Sequence, residues 1–197
     1  MYKVIGLTGG IASGKTTVSD YLKEHGYTVL DADAYSRKTT AKGGPAIPAI
    51  IEAFGEDIVD ADGELDRKKL GSIIFNDAGK RRELNAIVHP LIRDMMNADE
   101  AEFIKKGHVF LDIPLLFENG LNERCDLVVT VFVDRDTQIR RLTARNDLTI
   151  EEAEARINSQ MPLTEKVERS EYRLDNNGSV EKLYEQIDKF TEELESL

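Results

Sequence analysis

The chain has 197 residues, a hydrophobic fraction of 41% and a formal net charge of −11. That acidic balance argues against a broad electrostatic grip on DNA or RNA, and no aromatic-rich basic stretch of the RNA-binding kind occurs. No apolar run approaches the roughly 18 residues that span a membrane, and Cys125, the single cysteine, excludes an intrachain disulfide and suits a reducing cytoplasmic setting.

Val4-Ile5-Gly6-Leu7 is a short apolar run that reads as a first strand. Strand-like sequence from residue 3 leaves no secretory or transit segment to expect ahead of the fold. Gly9-Gly10-Ile11-Ala12-Ser13-Gly14-Lys15-Thr16 follows and matches G-x-x-x-x-G-K-[ST] at every fixed position. A helix is expected from Thr16 to Glu24, with Gly26 as a C-terminal cap. Thr28 to Asp31 reads as a second strand ending in carboxylates. From Ala34 to Asn76 the strand–helix rhythm breaks. Gly43-Gly44-Pro45, Pro48, Gly55 and Asp62-Gly63 punctuate a stretch too long for an ordinary connection. With the first part of the next helix it reads as a helical insertion beside the sheet, a natural seat for a second substrate. Asp77 to Lys106 is a long amphipathic helix interrupted by Pro90 and ended by Gly107. Further strands are expected at His108 to Ile113, Leu127 to Val133 and Tyr172 to Asp175. Further helices are expected at Asp134 to Arg145, Ile150 to Ser159 and Ser179 to Leu197, with Ser179 as an N-cap. Nearly continuous apolar strands separated by helices imply a parallel α/β sheet buried on both faces.

The glycine-rich loop is the strongest chemical signal. Glycines let backbone N–H groups turn toward an anion, and the helix start adds unpaired donors and a positive dipole end. Gly10, Ile11, Ala12, Ser13, Gly14, Lys15, Thr16 and Thr17 are therefore the candidate triphosphate-binding residues. Lys15 can reach the β- and γ-phosphates, and the Thr16 hydroxyl can bind Mg²⁺. Asp33, in the Asp31-Ala32-Asp33 run that ends the second strand, can take a proton from an attacking hydroxyl or hold Mg²⁺ through water. Asp31 could simply cap a helix. Asp112 ends an apolar strand in the manner of a Walker B residue, a place from which an Asp helps hold Mg²⁺. Arg141 and Arg145 stand one helical turn apart and share a face. They could clamp phosphate oxygens when a lid closes, although a solvated basic face is the plainer outcome. Asn146-Asp147-Leu148-Thr149 turns into a second helix, so the lid would be helix–turn–helix. His25, His89 and His108 lack metal-ligand spacing. No N-K-x-D, L-S-G-G-Q, G-x-S-x-G or H-E-x-x-H occurs; the first two absences argue against a GTPase switch and an ABC-type ATPase.

Several blocks together resemble the dephospho-coenzyme A kinases, in order and over essentially the whole length. They are Gly6 to Thr16, Asp31-Ala32-Asp33, Leu84-Asn85-Ala86-Ile87-Val88-His89-Pro90, Ile113-Pro114-Leu115-Leu116-Phe117-Glu118, Gln138 to Arg145, Arg156 to Gln160, and Asp175-Asn176-Asn177-Gly178. Thr16 stands where Ser is commoner and keeps the hydroxyl. Tyr172-Arg173-Leu174 departs from the Ala-Asp start usual for that strand. The resemblance implies a P-loop NTPase-type parallel five-stranded sheet flanked by helices, in a single kinase domain over residues 1–197. The core would cover about 1–33, 107–135 and 170–197, an acceptor-binding helical insertion about 34–106, and a helical lid about 136–169. It also implies transfer of the γ-phosphoryl group of ATP, with Mg²⁺, to the ribose 3′-hydroxyl of dephospho-coenzyme A, the last step of coenzyme A synthesis. Asp33 would be the base, and Lys15 would stabilise charge on the β/γ oxygens. Thr16 would ligate Mg²⁺, with Asp33 or Asp112 contacting it through water. Arg141 and Arg145 would close on the phosphates, and Asn176 would lie near the adenine. Arg67, His89 and Arg93 would line the acceptor side. The partners would be small molecules in the cytoplasm, with no nucleic acid and no membrane. Two alternatives share part of the signal: another small-acceptor kinase, such as a nucleoside monophosphate kinase, and a non-catalytic nucleotide-binding regulatory module. Asp33 and the paired arginines weigh against the second.

Overall fold

The computed structural model describes residues 1–197. Five strands, β1 (Val4–Gly9), β2 (Thr28–Asp31), β3 (Val109–Asp112), β4 (Leu127–Phe132) and β5 (Tyr172–Asp175), form one sheet in the order β2-β3-β1-β4-β5. β1 runs parallel to β3 and β4, and β4 runs parallel to β5. The helices are α1 (Lys15–Glu24), α2 (Ala32–Thr39), α3 (Ile47–Phe54), α4 (Arg67–Asn76), α5 (Ala78–Phe103), α6 (Arg135–Asn146), α7 (Ile150–Asn158), α8 (Leu163–Glu168) and α9 (Val180–Glu195). This is the parallel α/β sheet that the apolar strands imply. No helix is long and apolar enough to cross a membrane.

The chain divides into two compact units, residues 1–30 with 102–197, and residues 31–101. In the first unit Ile5, Leu7, Val129, Val131 and Leu174 of the sheet meet Val18 and Leu22 of α1 and Leu183, Ile187, Phe190 and Leu194 of α9. Full burial of such a side chain contributes roughly 1.5–3 kcal/mol, so this layer is the main support of the sheet end that carries the glycine loop. The ends of α1 and α9 follow their capping signals. Gly26 takes φ +87, and the N–H groups of Gly26 and Tyr27 return to the carbonyls of Lys23 and Leu22. Ser179 Oγ accepts from the Lys182 N–H at 3.5 Å. Helix α8 has no counterpart among the expected helices, because six residues are too few to carry a periodic signal.

The second unit has its own core, built from Ile47 and Ile50 of α3, Ile58, Leu65, Leu70 of α4 and Val88 of α5. The Asp66 and Asp77 carboxylates accept from the Lys69 and Gly79 N–H groups at 2.9 and 2.7 Å, starting α4 and α5. Helix α5 runs unbroken from Ala78 to Phe103, so Pro90 does not interrupt it as expected. The ring deprives the Ala86 carbonyl of its helical donor. Both residues are exposed, so water can satisfy that carbonyl, while buried Val88 and Met96 anchor the helix on either side.

His108 lies buried just before β3, its Nδ1 accepting from the Lys3 N–H at 3.1 Å. Burial lowers its pKa below the ordinary histidine value; Glu195 pulls it partly back, and the N-terminal amine and Lys3 lower it further. The unfolded chain therefore takes up the proton more readily than the folded one. This contribution to stability is fully present above about pH 6.5 and is lost as the pH falls below it. The melting temperature should accordingly decline between roughly pH 7 and pH 5.5. His108→Asn, whose Oδ1 can accept the Lys3 N–H without titrating, should flatten that decline; an equal slope in the variant, measured by calorimetry, would rule His108 out as its source.

Candidate functional site

β1 delivers the chain into the Gly9 to Lys15 loop at the carboxyl end of the sheet, and α1 starts at once behind it. Gly14 caps α1 with φ +92, a left-handed backbone conformation that favours glycine. Space excludes a side chain there as well, since a Cβ would stand 2.1 Å from Asn176 Nδ2. At Gly9 space alone decides: a Cβ would stand 2.5 Å from Ser13 Oγ and 2.8 Å from the Val131 carbonyl oxygen. Ala12 takes φ +61 despite its Cβ, a conformation that costs a non-glycine residue roughly 1–2 kcal/mol.

The Lys15 ammonium pairs with the Asp112 carboxylate. Strand register makes this possible, because β3 borders β1 and places Asp112 opposite Leu7. Asp112 is only 3% exposed, so the acid is committed to the end of the loop rather than to solvent. Thr16 is exposed in the first turn of α1, with Thr17 half-buried beside it. The N–H groups of Lys15 and Thr16 have no acceptor within their own helix, as in any first helical turn.

Side chains from distant parts of the first unit hold the loop. Buried Asn176 donates from Nδ2 to the Ser13 carbonyl at 2.8 Å, and its own carbonyl accepts from Arg141 Nη2 at 2.9 Å. Gln138 donates from Nε2 to the Ile11 carbonyl at 2.9 Å, while the Ile11 N–H donates to Gln160 Oε1 at 3.0 Å. Arg145 bonds its neighbour Asn146 at 2.9 Å and is exposed. The structure therefore brings Gly10 to Thr17, Asp112, Arg141 and Asn176 together, and gives Arg145 a local partner instead.

Lys166 is completely buried. Its Nζ donates to the Pro114 carbonyl at 2.9 Å and the Gly9 carbonyl at 3.5 Å, and pairs with Glu118 at 2.9 Å. Glu118 also accepts from the Met161 N–H at 3.0 Å. Burial pushes the Glu118 carboxyl up, but the hydrogen bonds from Lys166 and the backbone outweigh it and hold the group below the usual glutamate range. Gln138, Gln160, Glu118 and Lys166 carry no role in the sequence reading. The first three fall inside the blocks that carry the family resemblance. Lys166 sits in an ordinary polar helix and gives no signal, because lysines are almost never fully buried.

In the second unit the Asp31 carboxylate accepts from the N–H groups of Asp33 and Ala34 at 2.8 and 3.2 Å, so Asp31 is the N-cap of α2. Asp33 stands exposed in the first turn. The Tyr35 hydroxyl bonds the Asp99 carboxylate and fastens α2 to α5; burial and that carboxylate raise the phenol well above its ordinary pKa. A cavity of about 290 Å³ is lined by Arg67, His89, Ser36, Thr40 and Asn85 among apolar side chains. Arg67 donates to Thr40 Oγ1 at 3.2 Å. Arg93 is exposed and is not part of that lining. No group of three or more His, Cys, Asp or Glu side chains could hold a metal unaided. Thr16 and Asp112 fit the pattern of Mg²⁺ sites that take few protein oxygens and complete their shell with phosphate and water.

A model of the dephospho-CoA kinase family matches residues 3–182. A dephospho-CoA kinase of Bacillus cereus is 50% identical over 182 residues, covering 91% of each chain. One from Geobacillus kaustophilus is 49% identical over 189 residues, covering 95% of this chain and 94% of that protein. The solved structure of TT1252 from Thermus thermophilus is 36% identical, covers 98% of each chain and superposes with a TM-score of 0.81.

Lys166→Met should leave the Glu118 charge without its partner; because Glu118 keeps part of its surface in water, the cost should be about 3 kcal/mol, the lower end of that for breaking a buried pair from one side. At roughly 2–4 °C per kcal/mol for a chain of this size, the melting temperature should fall by about 6–12 °C. Adding Glu118→Gln should recover much of that loss. A double variant as unstable as the single one would show that the pair's charge balance is not what matters.

Proposed function

Because the chain belongs to the dephospho-CoA kinase family, which catalyses the final step of coenzyme A biosynthesis, we propose residue roles for the transfer of the ATP γ-phosphoryl group to the ribose 3′-hydroxyl of dephospho-CoA. The observation that carries these roles is the complete phosphate loop, with Lys15 beside Asp112 and Arg141 tied to Asn176 at its edge. Phosphoryl transfer asks the protein mainly for positioning and charge stabilisation. The loop N–H groups and Lys15 receive the β- and γ-phosphates, Lys15 turning from Asp112 to the incoming oxygens. Thr16 and Asp112 would hold Mg²⁺, which would supply positive charge against that of the phosphate oxygens. Arg141 and Arg145 close on the triphosphate and keep water out. Asn176 fixes the loop at Ser13 and borders the adenine side.

Residues 31–101 carry the acceptor in this reading, with Arg67 and His89 in the 290 Å³ cavity and Arg93 on the exposed face of α5. Asp33 is the base. Because Asp31 takes the capping role, the Asp33 carboxylate is available to accept the 3′-hydroxyl proton. As the hydroxyl oxygen bonds to the γ-phosphorus, the bond from that phosphorus to the β–γ bridging oxygen breaks and ADP leaves. A cytoplasmic location accords with a chain whose single cysteine precludes an intrachain disulfide.

The direct test is incubation with ATP, Mg²⁺ and dephospho-CoA, with the product identified by mass; a nucleoside monophosphate preferred as acceptor would defeat the reading. Asp33→Asn should lower turnover by about 100-fold or more, the usual size of a general-base contribution, while ATP still binds. Near-normal turnover would remove Asp33 from the chemistry. Arg141→Ala should raise the KM for ATP more than the KM for the acceptor, and the reverse ranking in initial-rate kinetics would overturn its placement on the donor.

A further inference from the structure

The phosphate loop is held at its apex by two amide side chains that the reaction itself does not call for. The Ile11 N–H can only donate and its carbonyl can only accept, so each glutamine end is assigned without ambiguity. Gln160 must present Oε1 and Gln138 must present Nε2, at 3.0 and 2.9 Å. Gln138 is 4% exposed, so its hydrogen bond has little competition from water. The Ile11 side chain completes the grip by packing with the Leu142, Ala153 and Ile157 cluster of α6 and α7. Position 10 makes room for the clasp: a Cβ on Gly10 would stand 2.6 Å from Gln138 Nε2.

The next residue is the strained one. Ala12 sits at φ +61, and the loop is held on both sides of it, at Ile11 by the glutamines and at Ser13 by Asn176. Gln138 and Arg141 are three residues apart on α6 and so lie on neighbouring positions of one face. One helix therefore reaches both the loop apex, through Gln138, and Asn176, through Arg141. A loop free to relax at Ala12 would have to be bent again on each ATP arrival, at the expense of affinity.

We propose that Gln138 and Gln160 are positioning residues that clasp the Ile11 backbone at its N–H and its carbonyl and keep the phosphate loop in the shape that receives the triphosphate. This rests on the reading of the loop as the ATP site. It adds a donor-side specificity: the two amides act with opposite hydrogen-bond polarity on the two peptide groups that meet at one residue.

That polarity supplies the test. Gln160→Glu keeps an acceptor opposite the Ile11 N–H, whereas Gln138→Glu sets an acceptor against the Ile11 carbonyl. Both add one negative charge next to the same residue, so charge repulsion toward ATP acts in the same direction in the two variants. Gln160→Met removes the acceptor without adding charge. KM for each substrate is measured for all three proteins, with ATP affinity by calorimetry and melting temperature as controls. Gln160→Met and Gln138→Glu should raise the ATP KM by roughly tenfold, equivalent to about 1.4 kcal/mol, and leave the acceptor KM near its wild-type value. Gln160→Glu should recover most of the loss seen with Gln160→Met. Equal effects of the two glutamate variants, or a parallel rise in both KM values with a falling melting temperature, would overturn the proposal. Should Gln138→Glu not fold, the contrast between Gln160→Met and Gln160→Glu decides alone. Failure of the wild-type protein to transfer phosphate to dephospho-CoA would instead defeat the functional reading, because that assay does not involve the variants.

Discussion

A phosphate-binding loop must leave several peptide N–H groups without protein partners, and unpaired backbone groups are what folded chains otherwise avoid. A short loop under that demand cannot hold its shape by its own hydrogen bonds. The shape must come from outside, and much of the first unit can be understood as supplying it. The strand register brings Asp112 to Lys15. The end of β5 brings Asn176 to Ser13, and α6 and the segment before α8 bring the glutamines to Ile11. Lys166 reaches the Gly9 carbonyl from below. The groups left over are the helix-start N–H groups, the ones an anion can use.

Charge follows the same logic on a smaller scale. The chain is acidic overall, with a net charge of −11, yet its anion site needs no broad positive surface. Backbone dipoles, one lysine and one arginine are concentrated at the end of a strand, where burial on one side limits screening. Asp112 balances Lys15, which spares the loop an uncompensated cation.

The fold was legible because its signals are local and repeated. Apolar strands, the glycine loop, Ser179 and Gly26 each specify their own neighbourhood, and the sheet follows from their sum. Pro90 lies within an unbroken helix where its residue type predicts a break, because water can replace the hydrogen bond that proline removes at an exposed position. Helix α8 is too short for its period to register. Of the candidate site, the loop, Asp112 and Arg141 were readable as types of residue at the ends of elements. Lys166 was not, since nothing in Thr164-Glu165-Lys166-Val167 distinguishes a lysine that points inward from one that points out. Gln138 and Gln160 were visible only as letters in familiar blocks. Their work depends on the backbone of a residue more than a hundred positions away, and spacing cannot encode such a pairing.

The glycines of the loop look like a local requirement for backbone freedom, but Gly10 and Gly14 also answer to amides far along the chain. Gly10 leaves room for Gln138, and Gly14 leaves room for Asn176. Substitution at these sites is therefore sterically coupled in pairs, and the two pairs differ. A lineage that shortened Gln138 and let Leu163 give by a few tenths of an ångström would open position 10 to alanine, since no left-handed backbone is needed there. One that shortened Asn176 would still find position 14 strained for any side chain, because its φ of +92 is one that residues with a Cβ rarely adopt. Of two glycines in one motif, one is negotiable with a partner and the other is not.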